Sequence, residues 1–121
     1  MPLTENQRRL CDLQESAERI AQTRKQQELD GFIADVRHEL ERAERNHAPM
    51  NSLHEAYSVI LEEVDELWDL VRMKRQERNP EHVRSELLQI AAMAIRTAKN
   101  LDYLTCPVEQ PFAYDDGSVG T

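Results

Sequence analysis

The stretch Ser52–Val71, SLHEAYSVILEEVDELWDLV, decides the fold. Leu53, Tyr57, Ile60, Val64, Leu67 and Val71 recur at spacings of four and three, the period of an α-helix with one apolar face rather than the alternation of a strand. Ser52 with Glu55 reads as a capping box that starts this helix. The pattern predicts a helix over 53–77.

The flanking sequence repeats the helical signal on both sides. Asn79-Pro80-Glu81 supplies a cap residue, a proline at the first helical position and an acid at the positive end of the helix dipole. Val83, Leu87, Ile90, Ala94 and Leu101 then carry a stripe to about residue 101. Upstream, Phe32, Ile33, Val36, Leu40 and Ala43 predict a helix over 31–46, stopped by His47-Ala48-Pro49-Met50-Asn51. Thr4 with Gln7 is another capping box, and Leu10, Leu13, Ala17 and Ile20 predict a first helix over 4–28, separated from the next by Asp30-Gly31. Its stripe is thin, so it is expected to meet a partner subunit or to move freely. From Thr105 onward, Pro107, Pro111 and Gly117 accompany no periodicity, which predicts a flexible tail. The chain thus divides into an N-terminal helix (1–30), a helical domain (31–103) and a tail (104–121).

Composition agrees with an all-α chain. The 121 residues hold only 3 Gly and 5 Pro, with 40% apolar and 31% charged residues, enough for one modest core and almost no strand. With 23 acidic against 15 basic residues, the net charge of −8 argues against a nucleic-acid partner, because a phosphate backbone needs a basic footprint. An acidic chain still binds a phosphorylated small molecule when divalent cations lie between carboxylates and phosphates. Cys11 and Cys106 are far apart and lack metal-ligand spacing, so reduced structural thiols are expected. Met1-Pro2-Leu3-Thr4 runs directly into charged residues, with no apolar run for secretion or a membrane span, so a cytoplasmic location and no membrane contact are expected.

Candidate chemistry comes from acids on the wrong side of a helix. On a wheel of the 53–77 helix, Glu62, Asp65 and Asp69 face away from Ile60, but Glu63 falls between Ala56 and Leu70 and Glu66 lies just beyond Val59. In the following helix Glu86 falls beside Met93 and Thr97, with Gln89 and Asn100 on the same flank. Burying an ionised carboxylate costs several kcal/mol unless it is paired or bound to a cation. Any one of these acids could instead pair with an Arg or Lys at the bundle rim. As a set, Glu63 with Glu66 and Glu86 with Gln89 are each three apart and could face each other across an antiparallel pair, presenting four oxygen donors of the kind Mg²⁺ takes. His47, in the loop before this helix, and Arg96 and Asn100, beyond Gln89, could contact a substrate, although a solvated His or Arg is the commoner case. Tyr57 and Trp68 lie on the far side of the stripe from Glu63 and are expected in the core; His82, near a helix start, is expected at the surface.

Glu63-Val-Asp-Glu66, followed after nineteen residues by Glu86-Leu-Leu-Gln89, resembles the paired ExxE and ExxD motifs of the MazG-like all-α nucleoside triphosphate pyrophosphohydrolases. The likeness covers roughly 31–103 and extends to His54-Glu-Ala-Tyr57, Leu61-Glu-Glu-Val-Asp-Glu-Leu-Trp68 and Leu88-Gln-Ile-Ala-Ala-Met-Ala-Ile-Arg96. It implies an antiparallel helical bundle of that type, here with an extra N-terminal helix, and hydrolysis of a nucleoside triphosphate to the monophosphate and pyrophosphate. Mg²⁺, or Mn²⁺ in its place, would be held by Glu63, Glu66, Glu86 and Gln89, the three glutamates carrying the catalysis. One departure stands out: the family's second motif ends in Asp, and Gln89 offers a carbonyl oxygen without the charge. The other class of function compatible with the sequence is a catalytically silent helical assembly or interaction module that kept the fold. The apolar arc of the 53–77 helix, from Trp68 through Ile60 to Val59, is wider than one neighbour covers, which predicts a homo-oligomer, most simply a dimer. The competing expectation is a monomer whose N-terminal helix folds back over the gap.

Overall fold

The computed structural model describes residues 1–106, and all regular structure among them is helical. Helix α1 is Glu5–Asn46, α2 is Leu53–Val71 and α3 is Pro80–Lys99, with a short 3₁₀ turn Arg75–Glu77 before α3 and a last helix α4, Leu101–Thr105. Leu104 of α4 is buried, so the helical body extends past the expected boundary at residue 103. The rest of the expected tail, with Pro107, Pro111 and Gly117, lies outside the described residues. Among those described, no helix is long and apolar enough to cross a membrane.

The first difference from the sequence reading is that Asp30-Gly31 does not end a helix. The expected helices over 4–28 and 31–46 are one, 42 residues long. A glycine inside a helix costs about 1 kcal/mol relative to alanine. That cost is outweighed because Gln26 Nε2 bonds Asp30 Oδ1 at 3.0 Å across the junction and the downstream stripe packs on α3. Upstream, the capping box is present: Thr4 Oγ1 accepts from Gln7 N (3.2 Å) and Gln7 Oε1 accepts from Thr4 N (2.8 Å). Leu10, Leu13 and Ile20 are nevertheless exposed; the N-terminal half of α1 does not fold back over the body.

The second difference is that α2 stops at Val71, not 77. Beyond Val71 the stripe would have to continue through Lys74, Arg75 and Arg78, which have nothing to bury. Arg78 instead turns back, its guanidinium donating to the carbonyls of Val71 and Met73, which satisfies acceptors left open at the helix end. At the other end Ser52 Oγ accepts from Glu55 N at 3.0 Å, but Glu55 reaches the backbone of Asn51 rather than of Ser52, so the box is shifted by one residue. Asn79 caps α3 through Glu81 N (2.9 Å), with Pro80 as its first residue.

Helix α3 is central and packs against both α1 and α2, which flank it. Asp35 pairs with Arg84 (2.8 Å) and Glu44 with Lys99 (2.8 Å), so α1 and α3 run in the same direction. Met50 meets Thr97 and Glu63 meets Glu86, so α2 runs against α3. Ala56 of α2 and Ala92 of α3 have no exposed surface, and the core around them is small: Val36, Ala43, Met50, Met93 and Leu104. Cys11 and Cys106 are free and exposed, surface thiols rather than structural ones.

A direct check on the continuous α1 is Gly31→Ala. The added Cβ meets nothing within 4 Å. In an unbroken helix the variant is expected to be more stable by about 0.5–1 kcal/mol, raising both helicity and the melting temperature followed by circular dichroism. A loss of helicity would mean that the chain needs the glycine to break α1 there.

Candidate metal centre

Three carboxylates, Glu63 and Glu66 from α2 and Glu86 from α3, bring one oxygen each to within 4.8 Å of one another. Glu63 and Glu66 are one turn apart on α2 and Glu86 faces them from the antiparallel α3, held there by the packing of the two helices. Glu63 and Glu86 are partly buried and Glu66 is exposed, so the cluster opens to solvent at Glu66.

Such a cluster is electrostatically unfavourable on its own. Burial first, and then the charges of Glu66 and Glu86, push the Glu63 carboxyl from its ordinary 4.5 up to about 7. The Glu66 carboxyl is also raised, chiefly by its contact with Glu86 and by that group's charge. A hydrogen bond between two of these groups requires one to keep its proton. Glu86 Oε2 is buried and has no hydrogen-bond partner. A buried acceptor of this kind costs about 1–3 kcal/mol, more when charged. A hard divalent cation satisfies it, since such ions take carboxylate oxygens from several residues at once.

Beside the cluster lies a cleft of about 310 Å³ where α1, α2 and α3 converge. Glu63 forms its border with the cluster, and Gln89, His47 and Arg96 also line it. Gln89 is one turn beyond Glu86, and its side chain lies close enough to Glu39 of α1 to help lower that carboxyl. His47 caps the end of α1 through Ala43 O at 2.9 Å. Arg96 is buried and donates to the carbonyl of Ala48, tying the α1–α2 loop to α3, so its guanidinium is already engaged. Asn100 does not line the cleft; it ends α3 and bonds Arg96 O at 3.3 Å. Tyr57 and Trp68, expected in the core, are 64% and 57% exposed within the chain, because α3 covers only one side of the α2 stripe.

The sequence reading missed Glu39 and Arg42. Arg42 holds Glu39 by two hydrogen bonds, and this, helped by the Gln89 amide, lowers the Glu39 carboxyl below its ordinary range. Their signal was available: on the α1 wheel Glu39 falls beside Phe32 and Ala43, the same misplaced acid that marks Glu63. With Glu55 and Glu62 also on its wall, the cleft is too acidic to attract a phosphate without cations.

Comparison of the chain with family models, with curated proteins and with solved structures gives no match in any of the three.

The shifted Glu63 carboxyl makes stability without metal depend on pH with a definite sign. Between about 4.5 and 7 the folded chain keeps a proton that the unfolded chain has released, so the stabilisation present below that window is lost as pH rises through it. Glu39, being lowered, acts in the opposite sense and only at more acidic pH. Melting temperatures in chelator are therefore expected to fall from pH 5 to pH 8, and Glu63→Gln to flatten the fall. A melting temperature that climbs across the same range would contradict the cluster's mutual repulsion.

Proposed function

We propose that this chain is a metal-dependent nucleoside triphosphate pyrophosphohydrolase of the MazG-like kind, acting as a homo-oligomer on a nucleotide held in the cleft. The observation that supports this best is the convergence of Glu63, Glu66 and Glu86 around a buried, unpartnered Oε2 of Glu86, in the two motifs that resemble that family. The donor set is all oxygen and negatively charged, which suits Mg²⁺ or Mn²⁺ rather than a softer ion. A cation bound there supplies positive charge against phosphate oxygens and polarises water for attack at phosphorus.

The chain's own residues have separable roles in this reading. Glu63, Glu66 and Glu86 bind the ion, and Glu63 gives up the proton it keeps near neutrality when the ion enters, so affinity weakens below about pH 7. Glu39 faces the Gln89 side chain, and Arg42 holds Glu39. Arg96 keeps the loop that carries Ala48 against α3, which fixes one wall of the cleft. A second reading, a silent helical module, is favoured by one observation: Gln89 removes a charge from the donor set and its side chain is turned to Glu39.

One experiment separates them. With Mg²⁺ or Mn²⁺ and a panel of nucleoside triphosphates, the enzyme releases pyrophosphate, and Glu86→Gln reduces the rate by more than the roughly 10–100-fold typical of losing an outer-shell partner of a metal. Millimolar metal is expected to raise the melting temperature of the wild type and not of Glu86→Gln. Metal stabilisation without turnover on any nucleotide would favour the silent module. Neither effect would remove the metal site altogether.

Restoring the family's charge gives a further check on Gln89. Gln89→Asp is expected to tighten Mg²⁺ binding measured by titration calorimetry, because a carboxylate adds a charge where the amide offers a dipole. Unchanged or weaker affinity would place position 89 outside the ion's reach.

A further inference from the structure

An open apolar groove of about 380 Å³ runs between α1 and α3 on the side away from the acidic cleft. Leu40 and Ala91 line the groove, whereas Arg42 and Gln89, two positions away on the same helices, line the cleft. Residues two apart on a helix point to nearly opposite sides. Phe32 and Ile33 of α1 and Ile95 of α3 also line the groove, together with the exposed Arg37. No described residue covers Ile33 or Ile95, and Arg37 has no ion pair among the described residues. In size the groove falls in the range of pockets that enclose ligand-sized groups, roughly 300–1,000 Å³.

The chain beyond α4, residues 107–121, reads PVEQPFAYDDGSVGT. Segments that remain solvated are poor in aromatic residues. This one places Phe112 and Tyr114 within three positions, although the whole chain has only two Phe, three Tyr and one Trp. Asp115 and Asp116 follow directly, and the segment contains no Lys or Arg. We propose that residues 107–121 turn back in cis and seat Phe112 and Tyr114 in the α1–α3 groove, with Asp115 and Asp116 against Arg37.

Reach permits this. Leu104 is buried in the core cluster that includes Val36 and Ala43, so α4 ends against the helical body. Ile95 lies four residues before Lys99, the last residue of α3, or about 6 Å along the axis. Phe112 is six residues past Cys106, which gives it a span of up to about 20 Å. Charge selects the site: in a chain of net charge −8 most of the surface repels an acidic segment, and Arg37 offers an unpaired cation beside apolar surface. Attachment selects the occupant, because a tethered group is present at an effective concentration in the millimolar range, far above that of a second copy at micromolar protein. The carboxylates of Glu63, Glu66 and Glu86 take no part, so the proposal is independent of the metal reading.

Photocrosslinking of the full chain tests the placement. With a benzophenone side chain at position 112, mass-spectrometric mapping is expected to find crosslinks on α1 between positions 32 and 40 and on α3 around Ile95. When light and isotope-heavy chains are mixed before irradiation, no light–heavy product is expected. Arg37→Glu is expected to lower the crosslink yield several-fold. Methyl NMR checks the same contact without a label at position 112: combining Phe112→Ala with Tyr114→Ala is expected to move the Ile33 and Ile95 signals and leave those of Ile20 and Ile60 in place. The double variant alters no residue of α1–α4, so its helicity is expected to be unchanged; if it unfolds, the crosslinks decide. Crosslinks found only elsewhere, as on the exposed Tyr57 and Trp68 of α2, overturn the proposal, as do crosslinks that fail to form or Ile33 and Ile95 signals that stay fixed. Light–heavy products overturn the cis arrangement and assign the groove to the same segment of a second copy.

Discussion

The antiparallel packing of α2 on α3, in a small core where Ala56 and Ala92 are fully buried, sets everything else in this molecule. Neither side chain has exposed surface, and a larger residue at either point would have to displace its core neighbours. With the helices packed antiparallel, Glu63 and Glu66 are carried onto Glu86 whether or not their charges favour it. Helix α1 lies on the other flank of α3. It reaches the cleft only through its last turns, at Glu39, Arg42, Ala43 and His47.

A small core therefore carries a cost at its edge. Three acids in one cluster, one of them with a buried oxygen that nothing satisfies, oppose folding in the absence of a counter-charge. Nearby acids are treated differently. Glu39 has Arg42 and the Gln89 amide, Glu44 has Lys99 and Asp35 has Arg84. Arg84 also lies over the Phe32 ring at 5.2 Å, so the α1–α3 seam is closed by paired charges where the α2–α3 seam is left with like ones. Charge that is neutralised within the chain at the α1–α3 seam is left open at this cluster.

How much of this was legible in the sequence follows from which forces are local. Caps and stripes are local, and they gave the start of every long helix to within a residue: Thr4, Ser52 and Asn79 each cap as expected. The acid cluster was legible too, because a charged residue at an apolar phase is visible without knowing the partner helix. Helix ends were less so. Residues 72–77 are good helix formers, and only the absence of anything for Lys74 and Arg75 to bury stops α2. Gly31 misled because its intrinsic cost was weighed without the packing of the stripe that follows it. Tyr57 and Trp68 misled because a wheel shows which residues are apolar and not how many neighbours arrive to cover them.

Helix α1 gives the molecule an unusual friction with solvent. Its 42 residues extend about 63 Å at 1.5 Å per residue, and among the described residues the part before Gly31 lies alongside no other helix. A rod on a small body drags far more water than a sphere of equal mass, so diffusion and sieving respond to the arm rather than to the core. On a column calibrated with round proteins, even a single chain elutes ahead of its 14.1 kDa mass. Its tumbling is also anisotropic, fast about the long axis of α1 and slow across it, so amide relaxation separates by the angle each N–H makes with that axis.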